Sequence, residues 1–174
     1  MMRFEIYLNI YDKFKDFDYI FSVDADLEAV GDISASQIIS DLTACRHPGY
    51  PAPGPARSLP YDHHENSAAY IADDESGNYY FGAFWGGKVS FVTNMLKTIK
   101  RRVKADLKNN IIPSWHDESH LNRYLLDLPP AISLDAGFVT AEGNNVGNTK
   151  IIQLNKDHTK MRDCDGPQSV CPIN

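Results

Sequence analysis

Between Val89 and Leu107, six apolar residues recur at intervals of three or four positions, which is the repeat of one face of an α-helix. They are Val89, Val92, Leu96, Ile99, Val103 and Leu107. Directly before this stripe, residues 79–85 are all aromatic or small, as in a strand that ends at Gly86 and Gly87. A strand followed at once by a long amphipathic helix predicts a protein of the α/β class.

Composition limits the function classes. The 174 residues fit one domain, residues 1–174, and 43% of them are hydrophobic, which is enough to form a core. The net charge of -6 argues against a nucleic-acid partner, because such binders are usually basic. No apolar run approaches the length of a membrane span and no signal-like segment follows Met1, so we expect a soluble, cytoplasmic protein. Three scattered cysteines predict neither a disulfide framework nor a thiolate zinc site.

Local patterns predict the remaining elements. Helices are expected over three ranges: residues 4–15, 34–45 and 115–126. Ser114 is expected to cap the last of these helices, with Asp117 completing a capping box. Strands are expected over two ranges: residues 17–23, as a buried strand, and 151–154. Residues 164–174 are expected to form an irregular tail.

Asp24 and Asp26 follow the strand predicted at residues 17–23, with one alanine between them. In an extended chain, residues i and i+2 point to the same side, so both carboxylates can face one ion. Hard divalent cations take oxygen ligands and share their remaining positions with water or phosphate. Two aspartates suit a metal that is shared with a diphosphate, and the alternative is a turn with two solvated acids.

The segment from Trp115 to His120 is the densest cluster of polar side chains. His116 and His120 share one helix face, but a zincin-type zinc site needs a glutamate directly after the first histidine, and Asp117 stands there. Near a helix start the dipole favours the charged form of Glu118, which suits a nucleophile or an electrostatic stabiliser better than a general acid. The alternative is a helix start with ordinary acids.

Five blocks, in order along the chain, resemble glycosyltransferase family 6, the family of the histo-blood-group A and B transferases and the α-1,3-galactosyltransferases. They are residues 19–28 with the Asp-Ala-Asp sequence, 47–50 (His-Pro-Gly-Tyr), 67–87, 115–122 (Trp-His-Asp-Glu-Ser-His-Leu-Asn), and the pair Lys156 and Arg162. The similarity spans about residues 2–163, and the fourth block is the most distinctive. The family's N-terminal strands, which bind uracil and ribose, have no counterpart in the sequence.

The resemblance implies a glycosyltransferase A-type fold, an α/β arrangement with a mixed sheet flanked by helices, here truncated at its N-terminus. It implies a retaining transfer of galactose or N-acetylgalactosamine from UDP-galactose or UDP-N-acetylgalactosamine to the 3-position of a β-galactoside glycan acceptor. Mn²⁺, or Mg²⁺ in its place, would assist the departure of UDP. The alternative is a catalytically inactive sugar- or nucleotide-binding remnant of such an enzyme.

The resemblance also implies a role for each candidate site residue. Glu118 would be the catalytic residue beneath the anomeric carbon, and Asp24 and Asp26 would hold the metal. The expected donor-binding residues are Arg3, Asp24, Ala83, Asp117, Lys156 and Arg162. The expected acceptor-binding residues are His47, Trp115 and Glu118. Ala83 is one methyl group larger than glycine, which slightly favours galactose as the donor sugar.

Overall fold

The computed structural model describes residues 2–144 and 146–156. Within these residues, helices α1 to α4 span Arg3–Asn9, Ala35–Ile38, Val89–Lys108 and His116–Asp127. Strands β1 to β9 span Tyr19–Val23, Leu27–Ala29, Thr43–Arg46, Gly54–Pro55, Ser76–Gly77, Tyr80–Lys88, Ile132–Leu134, Val139–Ala141 and Ile151–Gln153. The tail predicted at residues 164–174 lies outside the described residues.

Strand β6 lies inside the main sheet, whose strand order is β1-β6-β3-β7. It runs antiparallel to both β1 and β3, whereas β3 and β7 are parallel to each other. A second sheet has the order β2-β9-β8, and β4 pairs with β5. Both α3 and α4 pack against β6. The prediction of an α/β protein with a mixed sheet flanked by helices is therefore confirmed.

Helix α3 buries the apolar stripe that predicted it. All but the last of its six residues lie in one core cluster, which also contains Phe4 of α1 and Trp85 of β6. On another face of α3, Lys100 and Lys104 place their Nζ atoms 2.9 and 3.0 Å from Oε1 of Glu5. These two ion pairs join α3 to α1 beside the core. No helix within residues 2–144 and 146–156 is long and apolar enough to cross a membrane.

Strand β6 passes through Gly86 and Gly87 to Lys88, so the prediction that these glycines end the strand is wrong. A Cβ on Gly86 would lie 2.4 Å from the backbone oxygen of Ile20 in β1. A Cβ on Gly87 would lie 2.4 Å from the backbone oxygen of Asp41, and its φ of 147° is one that side-chain-bearing residues rarely adopt. The glycines therefore let neighbouring backbone approach β6 closely.

Strand β1 differs from the buried strand predicted at residues 17–23. It begins at Tyr19, which is 39% exposed, and it ends at Val23, which is 50% exposed. In the part of the chain that the structure describes, β1 pairs with β6 alone and forms one edge of the main sheet. The aromatic and β-branched residues of β1 therefore predict a strand correctly, but they do not predict whether both of its faces are buried.

The single helix predicted over residues 34–45 is wrong. Only Ala35–Ile38 is helical, and Thr43–Arg46 forms β3, which lies between β6 and β7. Pairing with two strands buries Thr43 and its two successors, and this burial outweighs a local helical pattern. The first helix is also shorter than predicted, because α1 ends at Asn9.

Helix α4 begins at His116, close to the prediction, but the capping box is wrong. Ser114 does not cap the helix, because its hydroxyl and its N–H both donate to Oδ1 of Asp62, at 3.0 and 3.1 Å. The N–H of Trp115 instead donates to Oγ of Ser119 at 2.9 Å. The start of α4 is thus tied to the loop that carries Asp62.

Candidate active site

Asp24 and Asp26 lie directly after β1, where the chain turns toward β2. The N–H of Asp24 donates to the backbone oxygen of Ala83 in β6 at 3.0 Å, and the N–H of Leu27 donates to that of Asp24 at 3.1 Å. Both aspartates line one cavity of about 490 Å³. The two aspartates therefore border one space, and their joint binding of a cation stays a prediction.

Arg3, the first residue of α1, connects three parts of the site. Its Nη1 lies 3.2 Å from Oδ1 of Asp24, and its Nε lies 3.1 Å from Oδ2 of Asp117. Nη1 also donates to the backbone oxygen of Gly82 at 2.8 Å. Burial raises the pKa of Asp24, and the guanidinium of Arg3 opposes that shift. One rigid cation thus holds two aspartates from separate elements beside β6.

Glu118 lies in the first turn of α4, and both of its carboxylate oxygens accept hydrogen bonds. The hydroxyl of Tyr79 donates to Oε1 at 2.7 Å, and the N–H of Gly82 donates to Oε2 at 2.6 Å. Burial raises the pKa of Glu118, while these two hydrogen bonds favour the charged form and oppose the rise. The carboxylate is therefore fixed in position at both oxygens.

Gly82 leaves the space that the Glu118 carboxylate needs. A Cβ at this position would lie 2.9 Å from Oε2 of Glu118, closer than real Cβ contacts come. The carbonyl of Gly82 accepts hydrogen bonds from Arg3 and from Nε1 of the buried Trp85, the latter at 3.1 Å. The peptide groups of this one glycine therefore contact both Arg3 and Glu118.

Asn122 holds α4 against β6. It is buried, and its Oδ1 accepts the N–H of Tyr80 at 2.7 Å. Its Nδ2 donates to the backbone oxygens of Tyr80 and Glu118, at 2.9 and 3.0 Å. Because both polar groups of the Tyr80 backbone are satisfied by one amide, the position of α4 on the strand is fixed.

Asp26 forms an ion pair with Lys156, the last residue that the structure describes. Its Oδ2 lies 3.0 Å from Nζ of Lys156 and accepts a hydrogen bond of 3.1 Å from Nε2 of Gln153 in β9. Burial alone would raise the pKa of Asp26, but these two hydrogen bonds outweigh it, and the pKa lies below its ordinary value. Asp26 is therefore a carboxylate at neutral pH, and it is paired with the Lys156 ammonium.

His47 packs against Tyr79, whose hydroxyl bonds Glu118. Its ring centroid is 4.9 Å from that of Phe81 and 5.7 Å from that of Tyr79. Its Nδ1 accepts the N–H of Gly49 at 3.0 Å, which leaves Nε2 to carry the ring proton. Burial lowers the pKa of His47, so the ring is neutral at pH 7.

The other predicted site residues are placed less centrally. Trp115 is 55% exposed directly before α4, and its backbone oxygen accepts the N–H of Glu118 at 3.0 Å. Ala83 is 3% exposed and packs in a core cluster with Phe81, so its methyl group lies against protein. Arg162 lies outside the described residues.

His120 lies on the buried side of α4. It is fully buried, and its Nε2 lies 3.4 Å from Oδ2 of Asp106 in α3. Burial lowers its pKa to about 4, so the ring is neutral at pH 7. Among residues 2–144 and 146–156, no three histidine, cysteine, aspartate or glutamate side chains cluster as metal ligands. His120 contributes here to the packing of α4 on α3.

A sequence model of glycosyltransferase family 6 matches residues 1–163. The chain belongs to glycosyltransferase family 6. The observed mixed α/β fold, with its sheet flanked by helices, is consistent with a glycosyltransferase A-type domain. The site built around Arg3, Asp24 and Glu118 thus lies within the part of the chain that defines the family.

Three relatives in glycosyltransferase family 6 illustrate the range of the similarity. Globoside alpha-1,3-N-acetylgalactosaminyltransferase 1 of Mus musculus is 36% identical over 74% of this chain and 36% of its own length. Histo-blood group ABO system transferase 1 of Rattus norvegicus is 37% identical over 70% of this chain and 34% of its own. The O-antigen biosynthesis glycosyltransferase WbnI of Escherichia coli is 34% identical over 71% of this chain and 53% of its own length. The chain thus spans about a third of the length of the animal relatives and about half of the bacterial one.

Sequence reasoning gave no role to two side chains that bond the carboxylates of Glu118 and Asp26. Tyr79 bonds Glu118 from 39 positions away, and Gln153 bonds Asp26 from 127 positions away. Tyr79 stood in the block at residues 67–87 without a role. The packing of α4 against β6 brings Tyr79 to Glu118, and the pairing of β9 with β2 brings Gln153 to Asp26.

Proposed function

We propose that this member of glycosyltransferase family 6 transfers galactose or N-acetylgalactosamine from a UDP-sugar to the 3-hydroxyl of a β-galactoside, with retention at the anomeric carbon. One observation carries the proposal: Arg3 bridges Asp24 to Asp117 and bonds Gly82, whose N–H holds Glu118. Asp24, which we assign to the diphosphate, and Glu118, which we assign to the anomeric carbon, are thereby both held around Gly82. The names of the relatives, which act as α-1,3-N-acetylgalactosaminyl, ABO and O-antigen transferases, support the substrate class.

Asp24 and Asp26 fit a hard divalent cation. Their carboxylates line the same cavity and offer oxygen ligands, which Mn²⁺ and Mg²⁺ prefer. Two aspartates leave most coordination positions to the phosphate oxygens of a nucleotide, as a metal shared with UDP requires. When bound, the ion would supply positive charge beside the diphosphate and so assist its departure.

Glu118 is suited to face the anomeric carbon. A retaining transfer proceeds by double displacement on a carboxylate or through an oxocarbenium-like species that a carboxylate stabilises. Both oxygens of Glu118 already accept hydrogen bonds, which weakens it as a nucleophile and favours the stabilising role. In that route the bond between C1 and the β-phosphate oxygen breaks with its electron pair on UDP. The acceptor oxygen then bonds C1 on the same face, and its proton passes to the departing phosphate.

Lys156 is suited to bind the donor phosphates. Its Nζ lies beside Asp26, in the cavity that both candidate metal ligands line. A lysine in this place can exchange its carboxylate partner for a phosphate oxygen when the donor binds. The matching role expected for Arg162, outside the described residues, remains a prediction.

The decisive experiment is a transfer assay with the purified chain, Mn²⁺, either UDP-sugar and methyl β-galactoside. We expect a disaccharide product whose new linkage is α, identified from the anomeric proton signal, and loss of transfer in Glu118→Gln. Glu75→Gln is the matched control, because Glu75 pairs with Arg123 and not with a residue of the site.

Three outcomes bear on the proposal. Transfer by the parent chain with loss in Glu118→Gln supports it. No transfer, no hydrolysis of either donor and no calorimetric binding of UDP would contradict it. Binding of UDP or galactoside by a parent chain without turnover would support the alternative, an inactive sugar- or nucleotide-binding remnant.

A further inference from the structure

Helix α3 presents four basic side chains to solvent along one line. Lys97, Arg101, Lys104 and Lys108 follow one another at intervals of four, three and four positions, which places them on one helix face, and all four are exposed. At 1.5 Å per residue the line is about 16 Å long. Asp106, the one acid in α3, is 1% exposed and lies on the opposite, buried side of the helix. We call the four exposed residues the basic stripe.

Ion pairs leave most of the charge of the basic stripe without a protein partner. Lys104 and its neighbour Lys100 share one carboxylate, that of Glu5. In the ranges that the structure describes, the other three members of the basic stripe form no ion pair. Residues 93–108 contain six basic residues and one acidic residue, whereas the rest of the chain contains 11 and 22. The basic stripe is therefore positive, while the other residues together carry a net negative charge.

A hollow of about 350 Å³ lies between α1 and α3 at the start of the basic stripe. It is lined by Leu8, Tyr11, Thr93, Lys97 and Lys100. Thr93 is 6% exposed, and its hydroxyl has no hydrogen-bond partner among the described residues. Two ammonium groups beside an unsatisfied hydroxyl favour a phosphate group, whose oxygens accept hydrogen bonds from both kinds of donor.

The surroundings of the basic stripe favour a bilayer over a nucleic acid as the polyanionic partner. A bilayer contacts one outward face and leaves the acidic remainder of the protein in solution, whereas nucleic-acid binders are usually basic as a whole. Leu107 and Ile112, which are 42% and 64% exposed, lie at the C-terminal end of the basic stripe. Apolar side chains beside basic ones are typical of surfaces that rest on the headgroup region of a membrane.

We propose that the basic stripe binds the surface of a bilayer that contains anionic phospholipids, with the hollow between α1 and α3 receiving the phosphate of one headgroup. Clusters of four or more lysine and arginine residues on a helix bind such surfaces, and each base strengthens the binding. The attraction is electrostatic, so it depends on anionic lipid and weakens as salt is added.

The first turn of α1 connects the basic stripe to the candidate active site. Glu5 pairs with Lys104, and Arg3, two residues earlier, pairs with Asp24. A chain bound through the basic stripe therefore keeps the candidate site close to the membrane surface. The inference does not rest on the proposed function, because lipid binding needs neither donor, metal nor turnover.

The test is co-sedimentation of the full chain with vesicles of phosphatidylcholine that contain about 30% phosphatidylglycerol, compared with vesicles of phosphatidylcholine alone. We expect the chain to bind the anionic vesicles only, and to be released in about 1 M NaCl, where charges are screened within about 3 Å. The combined variant Lys97→Gln, Arg101→Gln and Lys108→Gln should bind them roughly 100-fold more weakly.

The matched control removes two lysines and one arginine outside α3. It combines Lys15→Gln, Arg57→Gln and Lys150→Gln, and it should lose much less binding although its net charge changes equally. Circular dichroism shows that both variants are folded. If the α3 variant does not fold, the single change Arg101→Gln must still weaken binding roughly fivefold.

Several results would overturn the inference. They are no vesicle binding by the parent chain, equal binding to both kinds of vesicle, and equal losses in the α3 variant and the control. Tighter binding to a DNA duplex than to the anionic vesicles would assign the basic stripe to a nucleic acid instead. A chain that binds anionic vesicles but transfers no sugar would contradict the proposed function and leave this inference intact.

Discussion

The hydroxyl of Tyr79 donates a hydrogen bond of 2.7 Å to Oε1 of Glu118, although the two residues are 39 positions apart. Tyr79 is 1% exposed, so its ring cannot turn away without disturbing the core. The hydrogen bond favours the charged form of Glu118 and opposes the rise in pKa that burial causes. The protonation state of the proposed catalytic carboxylate therefore depends on the residue directly before β6, outside α4.

Tyr79→Phe should move the acidic limb of the pH–rate profile to higher pH. Removing a donor from the charged form raises the pKa of Glu118 further, and transfer requires that form, so activity is lost at a higher pH as the solution is acidified. The measurement is kcat/KM against pH. Tyr61→Phe is the control, since Tyr61 packs on Tyr79 but bonds the backbone of Asn78. An unmoved limb in Tyr79→Phe would show that this bond does not tune Glu118.

Gly82→Ala should lower kcat roughly 10- to 100-fold, because the new methyl group meets Oε2 of Glu118 and moves the carboxylate. The assay is transfer at saturating donor and acceptor. Gly147→Ala is the matched control, since no heavy atom lies within 4 Å of a Cβ at Gly147. Full activity in Gly82→Ala would remove the argument that this glycine makes room for Glu118.

Lys156→Met should strengthen Mn²⁺ binding to the nucleotide-free chain several-fold while weakening UDP binding. The lysine competes with a metal for Asp26 before the donor arrives, but it binds phosphate afterwards. Calorimetric titration with Mn²⁺ alone, and then with UDP, separates the two effects. Lys108→Met, at the end of α3, controls for the lost charge. Weaker Mn²⁺ binding in Lys156→Met would contradict this competition.

The free energy of unfolding should fall by about 2 kcal/mol between pH 7 and pH 5 on account of His120. Its folded pKa of about 4 lies below the ordinary 6.5, so the unfolded chain binds the proton first and acid favours unfolding. Denaturant melts over this range should show a flatter dependence in His120→Gln. His64→Gln, which changes an exposed histidine, should leave the slope as in the parent chain. An equal slope in His120→Gln and the parent would exclude this account.

The parts of the fold that follow from local periodicity were predictable. Helix α3 follows from a stripe of six apolar residues, and α4 was predicted within one residue at each end. Strand β3 was not predictable, because Thr43–Arg46 becomes a strand only through pairing with β6 and β7. The sequence predicted that Gly86 ends a strand. It lies within β6 instead, where the nearby backbone of β1 leaves no room for a Cβ atom.

The candidate site was also predictable from the sequence only in part. The spacing of Asp24 and Asp26 predicted a shared orientation, and the resemblance singled out Glu118. The contacts that organise these groups join residues far apart in the chain, such as Arg3 with Gly82 at 79 positions. Hydrogen bonds of this kind depend on the assembled sheet, so a pattern of neighbouring residues carries no signal for them.

The carbonyl of Gly82 accepts a hydrogen bond from the indole N–H of Trp85, which lies in the core. The backbone N–H of Gly82 donates to the carboxylate of Glu118. The proposed catalytic carboxylate is thus anchored, through Gly82, to a side chain of the buried core. On heating, the geometry around the carboxylate should persist until the domain as a whole melts. Inactivation and loss of tertiary structure would then occur at one temperature.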